Sequence, residues 1–269
     1  MNLLIMKIKE YLNKQIAYGR CYFNINDAYK ELNKSRNAVL HSISRLISKG
    51  EVVSPVKGFY VIIPPEYKIL KCIPADQFIP YLLGYLGYKY YAGLITAASY
   101  YGASHQAPQV FQVVTEKKLR SIVCGKVKIN FIKNQEIEKV PINWFSTPKS
   151  NLRVSSPEAT AVDLIKFVKQ SGGLNNITTI LAELKESITE EGLKSIIESQ
   201  PGTPWKQRLG YVLEFIGAKN LAKVVKEYLS KLPRVDYVML HTGLKVRSSN
   251  VKRNETWKIV ENTKLEGDI

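Results

Sequence analysis

The spacing of apolar positions along residues 1–63 changes from helical to strand-like and back, and predicts six short elements. The first is a helix over residues 3–14, whose apolar side chains share one face: Leu4, Ile8, Tyr11 and Leu12. A strand-like run at 21–23 precedes a second helix, which we expect Asn26 to cap. A third helix is expected to start after Ser35 and to end before Gly50.

Residues 51–63 alternate as a β-hairpin does, with Lys57 in the turn. Helix, strand, two helices joined by a tight turn at 33–35, and a hairpin follow one another in the order of a winged helix-turn-helix. The first expectation is therefore a winged helix-turn-helix domain at residues 1–63.

The third predicted helix has two chemically different faces. Its apolar face is expected to be buried and contains Val39, Ile43, Leu46 and Ile47. Its polar face contains Arg36, Asn37, His41, Ser44 and Arg45. Such a polar face can reach base edges in the major groove of DNA. We therefore expect Arg36, Asn37, His41 and Arg45 to read bases, and Lys34 and Lys57 to hold phosphates.

The charge of residues 1–63 agrees with a DNA partner. Ten lysines and arginines stand against four acidic residues, a net charge of +6, which attracts a phosphate backbone. The alternative is a winged helix that contacts only protein, with the basic residues on a solvated face. The whole chain has a net charge of +16, and residues 117–139 are a second basic stretch. That stretch suits nucleic acid, an acidic protein or nucleotide phosphates equally well.

Two prolines at 64–65 end the hairpin and predict a linker at 64–66, followed by a larger domain at 67–269. Its first half predicts two helices, at 76–88 and 90–101. Strands at 109–115, 119–123, 126–132, 140–145 and 151–154 then suggest a central antiparallel sheet. The predicted fold class is α+β.

The second half of this domain is predicted to be helical. Ser156, Pro157 and Glu158 form a strong start for a helix that reaches about residue 170. Further helices are predicted at 174–187, 190–199, 204–216 and 219–232, and a strand pair at 237–240 and 257–260.

Composition excludes several classes of protein. The three cysteines, Cys21, Cys72 and Cys124, have no metal-ligand spacing and predict neither a disulfide framework nor a metal site. The longest uncharged run, 90–115, is too interrupted to span a bilayer. The opening apolar residues are too few for a signal peptide. We expect a cytoplasmic protein without a cofactor or membrane partner.

Catalytic motifs are absent from the second domain: the sequence has no glycine-rich nucleotide loop, no HExxH and no nucleophile elbow. His105 follows an apolar segment in a polar loop, where a histidine acts as a base, binds phosphate or simply fixes the loop. The candidates for an unusual phosphotransferase site are His105, Ser104, Lys206 and Arg208. Asp163 is instead expected to form a structural ion pair with a buried arginine such as Arg208.

Seven segments in a fixed order resemble the AbiEi-type antitoxins, transcriptional regulators of type IV toxin–antitoxin systems. They are residues 58–67, 90–98, 102–106, 111–114, 156–164, 207–211 and 253–257. The resemblance implies an antitoxin that represses its own operon in abortive infection, a defence against phage. It implies that the winged helix binds inverted repeats of operator DNA. It also implies that the C-terminal domain neutralises a nucleotidyltransferase-type toxin, usually without a stable complex.

Two other functions stay open at this point. The C-terminal domain could be a phosphotransferase or nucleotide-binding enzyme that modifies the toxin. The chain could also be a solitary winged-helix transcription factor.

Overall fold

The computed structural model describes residues 2–104, 108–244 and 251–266, with side chains from residue 7 onward. The helices in these ranges are α1 Asn2–Ala17, α2 Ile25–Leu32, α3 Arg36–Ser48, α4 Ile79–Leu86, α5 Leu94–Tyr100, α6 Pro157–Lys166, α7 Leu174–Leu184, α8 Glu190–Ser199, α9 Pro204–Phe215 and α10 Lys219–Ser230. The strands are β1 Tyr22–Asn24, β2 Val52–Val56, β3 Phe59–Ile62, β4 Tyr90–Ala92, β5 Phe111–Thr115, β6 Ile122–Cys124, β7 Val127–Lys133, β8 Ile142–Ser146, β9 Asn151–Ser155, β10 Val238–Met239, β11 Arg253–Asn254 and β12 Ile259–Val260. The α+β class is confirmed.

The first six elements follow in the predicted order, and β1, β3 and β2 form an antiparallel sheet. Their helices bury one face each in a shared core that includes Ile8, Val39 and Ile43. The expected cap of α2 is wrong by two residues. Asn24, rather than Asn26, accepts a hydrogen bond from the Asp27 backbone N–H at 2.9 Å. The extended backbone of Asn24 places its side chain over the first turn.

The central sheet has six strands in the order β6-β7-β5-β4-β9-β8. The expected antiparallel sheet is wrong, because β5 pairs with β7 in parallel, as β4 does with β9. Strand β6 lies at the outer edge of the sheet and pairs antiparallel with β7. Strand β7 lies between β6 and β5 and runs parallel to β5. Periodicity indicates which segments are strands but says nothing about their direction.

The predicted helix at 90–101 is also wrong in its first part. Tyr90, Tyr91 and Ala92 form β4, and α5 begins only after Gly93. All three strand residues are buried. A short apolar run that is buried on every side has no periodicity to distinguish a strand from a helix. The predicted helix at 76–88 likewise shortens to α4, after one turn of 3-10 helix at Ala75–Gln77.

The helical half is organised around α6. Nine of the ten residues of α6 are buried, and it packs against α5, α7, α8 and α9. Helix α6 ends at Lys166 rather than at residue 170. The late strand pair is found where expected, with β10 parallel to β12, and β11 adds a third strand.

Backbone contacts group the chain into two compact units, each made of several segments. The first unit comprises Met1–Tyr91, Gln109–Gln135 and Trp144–Arg153, and the second comprises Ala92–Pro108, Glu136–Asn143 and Val154–Ile269. Within the first unit, the Tyr22 ring stacks on Tyr81 of α4, with 4.1 Å between centroids. The division at 64–66 stays a prediction about separately folding domains.

No helix in the described part of the chain is long and apolar enough to cross a membrane.

Candidate functional site

Helix α3 is fixed to the first unit by one face. Val39, Ile43 and Leu46 are each at most 2 % exposed and belong to the core shared with α1 and α2. The Ser35 hydroxyl accepts a hydrogen bond from the Ala38 backbone N–H at 3.3 Å and so defines where the helix begins. The opposite face of α3 is thereby held toward solvent.

All six residues predicted to contact DNA are exposed: Lys34, Arg36, Asn37, His41, Arg45 and Lys57. Four of them lie on α3, Lys34 lies in the turn before it, and Lys57 lies between β2 and β3. One expectation for the apolar face is wrong, because Ile47 is 40 % exposed. It lies at the edge of the apolar stripe, where periodicity predicts burial poorly.

The tip of the hairpin is anchored by a residue that sequence reasoning missed. The Tyr85 hydroxyl of α4 donates a hydrogen bond to the Lys57 carbonyl at 3.4 Å. Gly58 has φ +85°, and a Cβ there would lie 2.6 Å from the Tyr85 hydroxyl oxygen. Lys57 is thus presented on a hairpin whose turn requires glycine. No local signal in the sequence links Tyr85 to this turn.

The acidic groups near α3 have other partners. Glu31 and Glu51 form ion pairs with lysines of α1. Asp27 accepts a hydrogen bond from the side chain of its capping residue, Asn24, at 2.6 Å. These three carboxylates are thus directed to α1 and to a helix cap.

The candidates in the second unit are held in different environments. His105 lies outside the described residues, and Ser104 follows α5 and is half-buried. Lys206 on α9 is only 2 % exposed, and its ammonium lies 4.1 Å from the centroid of the Tyr228 ring. This contact gives Lys206 a packing role. The phosphotransferase site stays a prediction.

The expected ion pair between Asp163 and Arg208 stays a prediction. The Arg208 Nε donates a hydrogen bond to the Met239 carbonyl at 2.9 Å. Burial lowers the pKa of Arg208 from its ordinary value, since water is partly excluded from the charge. The arginine therefore fixes α9 to β10 by a backbone contact that no sequence pattern indicates.

Glu158 connects two helices. Its carboxylate accepts hydrogen bonds from both the backbone N–H and the hydroxyl of Thr189, each at 3.0 Å. Thr189 is the N-cap of α8. Glu158, in the first turn of α6, thus also stabilises the start of α8, a structural role beyond the helix-dipole effect.

No group of three or more potential metal ligands occurs among the described residues. The three cysteines are free and buried.

Comparisons with known proteins find one family model that is similar to part of the chain. Residues 91–215 match the family model of the AbiEi antitoxin C-terminal domain. No curated protein matches the chain. The crystal structure of the RV2827C protein from Mycobacterium tuberculosis is similar, with a TM-score of 0.68 and 17 % identity over 95 % of this chain and 91 % of that one. At this identity, the likeness shows a shared fold.

A second structure is an antigenic nucleotidyltransferase-like protein from Paracoccidioides brasiliensis. It has a TM-score of 0.34 and 12 % identity, over 56 % of this chain and 90 % of that one.

Proposed function

Because residues 91–215 match the AbiEi antitoxin C-terminal domain family, we propose that this chain is the antitoxin and autorepressor of a cytoplasmic toxin–antitoxin operon. Its winged helix, at residues 1–63, binds operator DNA. Its C-terminal domain, at residues 67–269, neutralises a nucleotidyltransferase-type toxin. The family match supports the antitoxin role, and the solvent face of α3 is the observation that carries DNA binding.

DNA recognition is proposed to begin at the N-terminal half of α3. Arg36 and Asn37 lie in its first turn and His41 follows one turn later, all exposed on the side opposite the core. Arginine reads guanine and asparagine reads adenine through paired hydrogen bonds in the major groove. Arg45 extends the same surface. Lys34 and Lys57 flank it and supply backbone phosphate contacts that carry no sequence information.

Fluorescence anisotropy with the duplex upstream of the chain's own gene tests this proposal. Asn37→Ala or Arg45→Ala should weaken operator binding about tenfold and relax the preference for operator over random DNA. Lys57→Ala should weaken binding to every sequence alike and reduce the slope of log K against log salt by about one. Lys7→Ala, an equal change of charge on the exposed surface of α1, is the matched control.

Three results would contradict the assignment. If the wild-type protein binds operator and random DNA equally well, it does not act as an operator-binding repressor. Variants of α3 that bind as wild type does would mean that α3 does not face DNA. If Lys7→Ala weakens DNA binding as much as Lys57→Ala does, the effect of Lys57 comes from overall charge and not from a phosphate contact.

Toxin neutralisation is tested by growth rescue. Cells expressing the nucleotidyltransferase-like protein of the same operon should grow when full-length chain is supplied from an unrelated promoter. An Asn37→Ala, Arg45→Ala double variant should rescue equally well, because the proposal separates repression from neutralisation. Point variants test this better than deletion of residues 1–63, because the deletion would also remove the stacking of Tyr22 on Tyr81. Failure of the wild type to rescue would refute the antitoxin role.

A further inference from the structure

The second unit contains a cleft between the C-terminal end of α6 and the N-terminal end of α9. Its volume is about 410 Å³, within the range of small-molecule sites. Three cationic side chains line it, Lys166, Lys169 and Arg208, together with Trp205 and Thr242. The described residues that line this cleft include no carboxylate.

Charge distinguishes this cleft from two others in the same unit. One of those contains Glu186 and Glu190 beside its lysines, and the other contains four glutamates. In both, the cations have acidic neighbours within the lining itself. The described lining of the cleft at α6 and α9, in contrast, places no carboxylate beside its cations.

Two of the three cations are already held in place. The Lys166 ammonium donates to the Gln200 side-chain oxygen and lies 4.9 Å from the centroid of the Trp205 ring. Arg208 is held by the bond from its Nε to the Met239 carbonyl. A lysine has three donors and an arginine five, so each side chain keeps donors for a ligand. Such preorganisation lowers the entropic cost of binding.

The surroundings of Lys166 contain charges of both signs. Burial lowers the pKa of the Lys166 ammonium, the nearby carboxylates of Asp163 and Glu136 raise it, and the nearby Lys206 lowers it. The C-terminal end of α6 is partly shielded, because the Phe167 carbonyl accepts hydrogen bonds from the Ser171 backbone N–H and hydroxyl, each at 3.0 Å.

The N-terminal end of α9 adds a weaker positive contribution. Pro204 opens this helix, and the Thr203 side chain makes no capping bond. The first-turn N–H groups and the helix dipole therefore present partial positive charge at this end of the cleft.

We propose that this cleft binds a multiply charged phosphoanion, of the kind found in the polyphosphate chain of a nucleotide. Three cations around one cleft match a ligand with several negative charges better than a single carboxylate. Phosphate oxygens also suit an arginine whose Nη donors are available. The proposal does not depend on DNA binding or on toxin neutralisation.

Isothermal titration calorimetry on the full-length protein, without divalent cations, tests the proposal with two probes, inorganic triphosphate and ATP. Wild type should bind at least one of them saturably, with an affinity that falls as salt rises. Lys169→Gln should weaken binding about tenfold, the effect of losing one charged contact. Lys169 is exposed, so its replacement should leave the unfolding temperature unchanged.

The matched control is Lys223→Gln on α10, whose side chain is 75 % exposed and lies outside the cleft. It should bind both probes as wild type does. Equal affinity for triphosphate and ATP would assign recognition to the phosphate chain alone, and tighter binding of ATP would assign it to the nucleotide. Absence of saturable binding by wild type, or equal loss in the two lysine variants, would overturn the proposal.

Discussion

Gly210 of α9 provides the sharpest test of how the C-terminal segment packs. A Cβ at this position would lie 2.0 Å from Cζ3 of Trp257 and 2.5 Å from two further ring atoms. Trp257 is 1 % exposed, and its indole N–H donates to the Glu214 carboxylate at 2.7 Å. The ring is therefore fixed directly over the glycine. Replacement of Gly210 by alanine forces α9 and the indole apart.

The size of the effect follows from two opposing terms. Carbon atoms make normal contact at about 3.5 Å, so the ring or the helix must move by about 1.5 Å. Overpacking of this kind costs up to about 3 kcal/mol. Alanine regains about 1 kcal/mol of helix propensity relative to glycine. We expect Gly210→Ala to lower the free energy of unfolding by about 2 kcal/mol, or the unfolding temperature by about 4–8 °C.

The same substitution at Gly84 is the control. Gly84 lies in α4, is exposed, and has no atom within 4 Å of the position that a Cβ would occupy. Gly84→Ala should therefore stabilise the protein by about 0.5–1 kcal/mol. Thermal unfolding followed by circular dichroism measures both variants. If the unfolding temperature of Gly210→Ala lies within about 1 °C of the wild-type value, Trp257 does not pack on α9.

Two further predictions concern polar groups that are buried or half-buried. Glu158→Ala removes the acceptor for two hydrogen bonds from Thr189 and should lower the free energy of unfolding, measured in urea, by about 2 kcal/mol. The control, Glu191→Ala at an exposed position, should change that free energy by under about 0.5 kcal/mol. Equal losses of stability in the two variants would contradict the assigned bonds. Burial raises the pKa of Tyr101 to about 12, above the value of about 10 in an unfolded chain. Its stabilising contribution is therefore complete below about pH 10 and is lost as pH rises toward about 12. Absorbance titration should show one late-titrating phenol missing in Tyr101→Phe, and an unchanged titration curve would refute this.

The candidate DNA surface could be predicted from the sequence because it lies on one helix. Polar and apolar positions of α3 alternate at helical spacing, so Arg36 and Asn37 are assigned to the exposed face without any tertiary information. The anchoring of Lys57 could not be predicted in this way. Tyr85 is distant in sequence, and only the packing of α4 brings its hydroxyl to the hairpin.

The lining of the cationic cleft, like the anchoring of Lys57, could not be predicted from the sequence. Sequence reasoning named Lys206 and Arg208 among the candidates for a phosphotransferase site. Their side chains nevertheless lie in different environments, with Lys206 against Tyr228 and Arg208 at the cleft. Lys166 and Lys169 come from the end of α6, and the sequence has no local feature that pairs them with Arg208.

Local sequence is sufficient to specify where most helices begin and which face of each is buried. Caps such as Ser35 and Ser156 and the periodicity of apolar residues act over one or two turns, so their free energies are local. Long-range packing, in contrast, places β7 parallel to β5 and Trp257 over Gly210. These contacts join residues far apart in the chain, and their stability depends on close packing and on the exclusion of water, which no short segment encodes.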